Sequence, residues 1–410
     1  MNKLSKENSF RFSLLACIFF IPISQNVSIK LLILAIVLSL FLIRNENWKK
    51  GFLRNGGDCL LYFVILSLGL LYTENMSNGL SVLEKNLSFI GVPLLFSRIN
   101  FLDKKFLNHI FVTFTAGVLV ASLICLGYAF WRDLSLHYAN GYYYDQFTAI
   151  IDSHPTYMAY YICFTIIFLL YLISYEENRK LTKYLIISSI FFLAFTLMLT
   201  AGRTTFISMM MMASFFFLKV LFEPYPLKRK LQGITVSVAM LIIILLQSPY
   251  SKKIFPNFPN GRSASIEQIK GDSWERLALW ESAIHASSNL FIGVGTGDYT
   301  REINAYYRSH DLHEYAEINF NAHNQFIQTL FSNGLIGLAV LLVLLLRPIV
   351  FANRRQNIFG MLTFFPFLIY GISEVFLGRY QGIIFFTLLH QIFITYFNQS
   401  PDKFSVRNHL

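Results

Sequence analysis

Long apolar runs alternate with short polar joints along almost the whole chain. They fall at roughly 10–23, 29–43, 58–72, 79–97, 106–130, 155–174, 183–200, 204–222, 231–248, 325–346, 358–377 and 380–397. Most approach the ~20 residues that a helix needs to cross ~30 Å of hydrocarbon. Lipid offers the backbone no hydrogen bonds, so a single spanning segment must be helical. A β-barrel would instead show shorter, alternating segments. The pattern predicts an all-α polytopic membrane protein with about twelve transmembrane helices. The run at 79–97 is marked by Glu84 and Lys85 near its start. One long polar interruption, 249–324, divides the chain into nine helices (1–248), a loop, and three helices with a short tail (325–410).

Charge sets the orientation. With the N-terminus inside, the inner segments carry 22 of the 34 basic residues, among them Lys49, Lys50, Lys104, Lys105, Arg354 and Arg355. The short outer loops at 24–28 and 72–78 carry none. The positive-inside rule then predicts both termini in the cytoplasm. It also predicts that 131–154, 200–203, 249–324 and 378–381 lie outside. Lys3, Lys6 and Arg11 precede the first run like a signal peptide, but a second run follows at once without a clear cleavage site. A retained first helix is expected.

Composition changes the picture in one respect. The 410 residues are 55% hydrophobic and only 14% charged, yet the net charge is +11. That charge suits loops held against anionic membrane lipids, so no nucleic-acid partner is expected. The four cysteines sit in or beside apolar runs, and none lies in 249–324. Neither a disulfide framework nor a cysteine metal site is expected.

The residues able to do chemistry gather on the outer side. His323 and Asn324 stand where the polar interruption ends. With Phe326, Ile327 and Leu330 following at helical spacing, His323 is expected to open the tenth helix, capped by Asn321. An imidazole can accept a proton, so His323 is a candidate general base; the bland alternative is an interfacial histidine bonded to a loop. Arg203, in Thr-Ala-Gly-Arg-Thr-Thr, sits at the outer end of the eighth run, where a guanidinium fork suits a pyrophosphate. Snorkelling is the competing role. Arg276 lies in a segment where Leu277, Trp280 and Ile284 recur at helical spacing, as in an amphipathic helix resting on a membrane. His154, just before Pro155, and Glu374 and Arg379, flanking the last outer turn, are candidates to line the same cavity. Glu374 and Arg379 could equally pair with each other. Phe291-Ile-Gly-Val-Gly-Thr-Gly-Asp298 matches no nucleotide-binding fingerprint and reads as a glycine-rich turn. His310, Asp311, His313 and Glu314 form a loose cluster without a fixed metal motif. The acidic residues Asp298, Glu302, Asp311, Glu314 and Glu317 leave a loop carboxylate open as an alternative base.

The order of these motifs resembles the O-antigen ligase and O-antigen polymerase superfamily of the bacterial inner membrane. The resemblance is carried by Gly202-Arg203-Thr204 at a span start, Arg276-x-x-x-Trp280, Gly293-Val-Gly295 and His323-Asn324-x-Phe326, and it covers roughly 155–397. It implies a GT-C-like fold and a metal-independent glycosyltransferase with no cofactor. The donor would be a glycan on undecaprenyl pyrophosphate, and the acceptor lipid A-core or another glycan. Arg203 and Arg276 would bind the pyrophosphate, with Arg301 assisting, and His323 would activate the acceptor hydroxyl. His154-Pro155 is shared with some members. A polymerase of the same fold is the nearest alternative. Transport ranks lower, because transporters put polar groups near the bilayer midplane.

Overall fold

The computed structural model describes residues 3–42, 47–99, 101–136, 142–175, 180–200, 273–287, 289–355 and 357–399. Among these residues all regular structure is helical. The helices are α1 (Lys3–Phe20), α2 (Gln25–Leu42), α3 (Trp48–Leu68), α4 (Met76–Lys85), α5 (Ser88–Arg98), α6 (Lys104–Leu136), α7 (Asp145–Thr148), α8 (Pro155–Tyr175), α9 (Lys180–Thr200), α10 (Ser273–Ala286), α11 (Tyr299–Ser309), α12 (His313–Glu317), α13 (Gln325–Arg354), α14 (Ile358–Ser373) and α15 (Tyr380–Gln399).

Seven described stretches are long and apolar enough to cross a membrane: Trp48–Tyr72, Met76–Arg98, Lys104–Ser135, Pro155–Ile173, Lys180–Thr200, Gln325–Arg354 and Tyr380–Gln399. Gln25–Phe41 and Phe359–Ser373 are apolar but shorter. The chain is therefore an all-α membrane protein. The run expected at 10–23 becomes α1, half of it polar, which stops at Phe20 just before Ile21-Pro22; a residue preceding proline is disfavoured in the helical region. The runs expected at 204–222 and 231–248 lie outside the described residues. The run at 79–97 is two helices, broken at Asn86, whose side chain donates to Val82 O at 2.8 Å.

The chain divides into two compact units. One comprises Met1–Cys17, Gln25–Ile110 and Gly261–Leu410. Here α3 packs on α5, α13 and α15, and α13 packs on α14. Gly56 lets α5 come close: a Cβ there would lie 2.3 Å from the Pro93 ring. α15 is buried along nearly its whole length, as expected of a helix apolar all round. α13 has 30 residues, about 45 Å at 1.5 Å per residue. It kinks at Gly334 (φ 68°, ψ −169°). The segment 335–354 already spans about 30 Å of hydrocarbon, so the turns before the kink are length to spare at the end that carries His323.

The other unit comprises Ile18–Ser24 and Phe111–Asn260. Phe111 and Phe114 of α6 meet Phe164, Phe168 and Tyr161 of α8, with ring centroids 5.0–5.8 Å apart. Pro155 is the first residue of α8, where its missing N–H costs nothing. Tyr144 N donates to Leu199 O at 3.0 Å, tying the segment around α7 to the end of α9.

Candidate active site

The segment between α10 and α13 folds on its own small core. Leu279 and Ala283 of α10, Tyr299, Ile303 and Tyr307 of α11, Tyr315 and Ala316 of α12, Ala322 and Phe331 are all buried together. Burial raises the Tyr299 and Tyr307 phenols well above their ordinary pKa, so neither is a base near neutral pH. The buried stripe of α10 is Leu279–Ala283. Leu277 and Ile284, two of the three expected membrane-facing positions, are 47% and 42% exposed on another side of the helix. α10 thus has a stripe for its core and a second apolar stripe left outside. Arg276 is half-buried on this helix.

A glycine-rich turn locks this cap to the rest of its unit. Val294 N and Gly295 N donate to Phe331 O and Ser332 O at 2.9 and 3.0 Å, just before the kink of α13. Gly293 has φ +82°, and a Cβ there would meet the Ser332 backbone at 2.5 Å, so only glycine fits without strain. Thr296 Oγ1 donates to Leu66 O at 2.8 Å. The Asp298 carboxylate, 1% exposed, accepts from Glu74 N and Asn75 N at 2.7 and 2.8 Å. The turn is structural, as the sequence suggested, and Asp298 is committed to it.

The His323 turn is built by asparagines. Asn304 Nδ2 donates to Asn319 Oδ1 at 2.6 Å. Asn321 Oδ1 accepts from His323 N at 2.8 Å. Asn324 then caps α13, its Oδ1 accepting from Phe326 N and Ile327 N at 2.9 and 3.1 Å. This corrects the expected boundary: the cap is Asn324, not Asn321. His323 stands ahead of the helix at φ +43°, so it does not share a helix face with Phe326 and Ile327. Asparagine side chains hydrogen-bond their own backbone within two or three residues, and they have outcompeted the helix here.

Off the helix, the imidazole turns toward a carboxylate. His323 Nδ1 lies 3.6 Å from Glu374 Oε2, with the two side chains 29% and 9% exposed. The separation is that of an ion pair when the ring is protonated and is too long for a hydrogen bond. Glu374 sits at the C-cap of α14 in extended conformation, its N–H donating to Tyr370 O at 2.9 Å. Phe320 covers another side of the imidazole, with ring centroids 5.1 Å apart. Glu374 thus faces His323 from the turn between α14 and α15, while Arg379, its expected alternative partner, is exposed.

Arg203 lies outside the described residues. His154 Nδ1 accepts from Thr156 N at 3.3 Å and so caps α8 in the other unit. The Arg301 guanidinium pairs with Glu74 and with Glu302, the latter at 2.6 Å. His310 Nδ1 stands 3.0 Å from Ser309 Oγ and from Tyr306 O, while His313 pairs with Asp311 at 3.8 Å. Among the described residues, His310 and His313 form no set of metal ligands.

One cluster was missed. Asp58 of α3 is 4% exposed in its side chain, contacts Arg347 of α13, and has His390 Nε2 of α15 2.8 Å from its Oδ2. That close contact falls off the line of a hydrogen bond. Gln391 Nε2 donates to Cys59 Sγ at 3.4 Å and to Asn55 O at 3.2 Å. The spans are therefore less free of charge than expected. Asp58, Cys59 and His390 come close enough to hold a metal, but Arg347 already neutralises the carboxylate that a cation would need. The signal was present in the sequence: Asp58 beside Cys59, and His390-Gln391, interrupt apolar runs.

A family model described as O-antigen ligase matches residues 188–342, the stretch that carries Arg203, Arg276 and His323. No curated protein matches the chain. Members of this family are glycosyltransferase-type enzymes that use a lipid-linked glycan donor and a glycan acceptor. The matched segment, which ends in α13, supports the resemblance to the O-antigen ligase/polymerase superfamily.

Proposed function

We propose that this protein is an O-antigen-ligase-like glycosyltransferase of the bacterial inner membrane. It moves a glycan from undecaprenyl pyrophosphate to a hydroxyl of lipid A-core on the periplasmic side. The observation that carries this reading is the His323–Glu374 contact, 3.6 Å between Nδ1 and Oε2, at the partly open turn that begins α13. The family match supports the chemistry.

The acceptor hydroxyl loses its proton to the His323 imidazole as its oxygen attacks the anomeric carbon. The bond from that carbon to the pyrophosphate oxygen breaks, and negative charge develops on the leaving group. A positioned base contributes about 10²–10⁴-fold. Glu374 holds the ring in orientation and stabilises the imidazolium that forms. Arg276 and Arg203 are assigned to the pyrophosphate, where guanidinium charge meets the leaving group in the transition state. That assignment needs no metal. About twelve spans, cytoplasmic termini and an outer location for 249–324 belong to the same proposal.

The test is made on lipopolysaccharide. His323→Ala should insert normally yet give core lipid without polymer, while polymer accumulates on the carrier. A normal ladder from this variant removes His323 from the mechanism. Core bearing a single repeat unit after deletion of the gene would instead identify a polymerase.

A further inference from the structure

The His323–Glu374 contact joins two turns far apart in the chain, and no direct hydrogen bond enforces its spacing. Something else must set the register between them. Gln325, the first residue of α13, is 3% exposed and bonded at both ends of its amide. Its Oε1 accepts from Leu377 N at 2.8 Å, 52 positions along the chain. Its Nε2 donates to Thr329 Oγ1 at 3.1 Å, one helical turn ahead. Leu377 lies in the 3-10 turn Phe376–Gly378, directly after Glu374 and Val375. A line of contacts thus runs from Thr329 through Gln325 to the backbone that follows Glu374.

We propose that Gln325 is a positioning residue that holds the Glu374 turn in register with the His323 turn. The proposal rests on the reading of His323 as the base. Gln325 stands two residues after His323 and reaches a backbone three residues after Glu374, so one side chain measures the gap between them. The Leu377 N–H has Gln325 as its partner. Without it, the buried donor must find another acceptor, and the cheapest route is for the turn to shift.

Gln325→Met keeps most of the volume and removes both bonds. Gln325→Glu keeps an oxygen acceptor for Leu377 N. The full-length purified chain is assayed in proteoliposomes with a polyprenyl-pyrophosphate glycan and lipid A-core. Gln325→Met should lower kcat by about tenfold with KM for the donor unchanged, as expected when a group acts through the transition state alone. Gln325→Glu should recover most of the loss. In a Glu374→Gln background the Met substitution should cost nothing further, because residues acting through one contact are not additive. Thermal unfolding in detergent checks that each variant is folded. Should Gln325→Met not fold, Thr329→Val, which frees the amide to rotate, carries the same expectations. Wild-type kcat in a folded variant, or an equal loss with and without Glu374, overturns the proposal. An active His323→Ala would instead overturn the underlying reading of the base, so the two failures are distinguishable.

Discussion

Replacing Glu374 with Gln removes a charge and keeps the shape. If His323 takes the acceptor's proton, an imidazolium and a carboxylate face each other in the transition state with Nδ1 and Oε2 3.6 Å apart. At that separation their attraction is about 4.6 kcal/mol at an effective dielectric of about 20, and about 1.2 kcal/mol in bulk water. The carboxylate is nearly buried and the imidazole 29% exposed, so the true value lies between these limits. A midpoint near 3 kcal/mol corresponds to about 10²-fold in rate. The charge matters only once the ring is protonated, so the loss should fall on kcat and leave KM for the donor alone. The assay is steady-state transfer of a glycan from a polyprenyl-pyrophosphate donor by the purified variant, with thermal unfolding in detergent as a fold control. A folded Glu374→Gln protein within about threefold of wild-type kcat would refute the role assigned to this carboxylate.

Other expectations follow from packing and charge. Gly293→Ala must hold alanine at φ +82° against the Ser332 backbone; it should destabilise by about 1–3 kcal/mol from the backbone conformation alone, read as a lower unfolding temperature. Asp58→Ala leaves Arg347 without its counter-charge. It should cost about 3–5 kcal/mol of stability, while transfer per folded molecule stays near wild type. Asn324→Ala removes the cap of α13, which is worth about 1 kcal/mol. It should also lower kcat, because the same residue fixes where the His323 turn ends.

Most of the helical layout was legible. The runs at 106–130, 155–174 and 183–200 correspond to α6, α8 and α9 within a few residues, because a spanning helix is written as contiguous apolar residues. The glycine turn was legible as structure, since it matched no nucleotide loop. The start of α13 was not. Asn321, His323 and Asn324 all lie near the boundary, and periodicity cannot say which asparagine caps a helix and which folds a turn. The pairing of Glu374 with His323 was also illegible, because the competing partner Arg379 is nearer in sequence. Arg301 looked free because its strongest partner, Glu74, comes from a distant part of the chain.

The sequence by itself determined that this is a helical membrane protein, because transfer into lipid is a local property of about twenty consecutive side chains. Its motif order also pointed to the superfamily. Only the tertiary structure decided which carboxylate meets the imidazole, which arginine is already neutralised, and that Asp58, Arg347 and His390 share one buried cluster. Those are distances of a few ångströms between residues 51 to 332 positions apart, set by how helices pack rather than by any pattern along one of them.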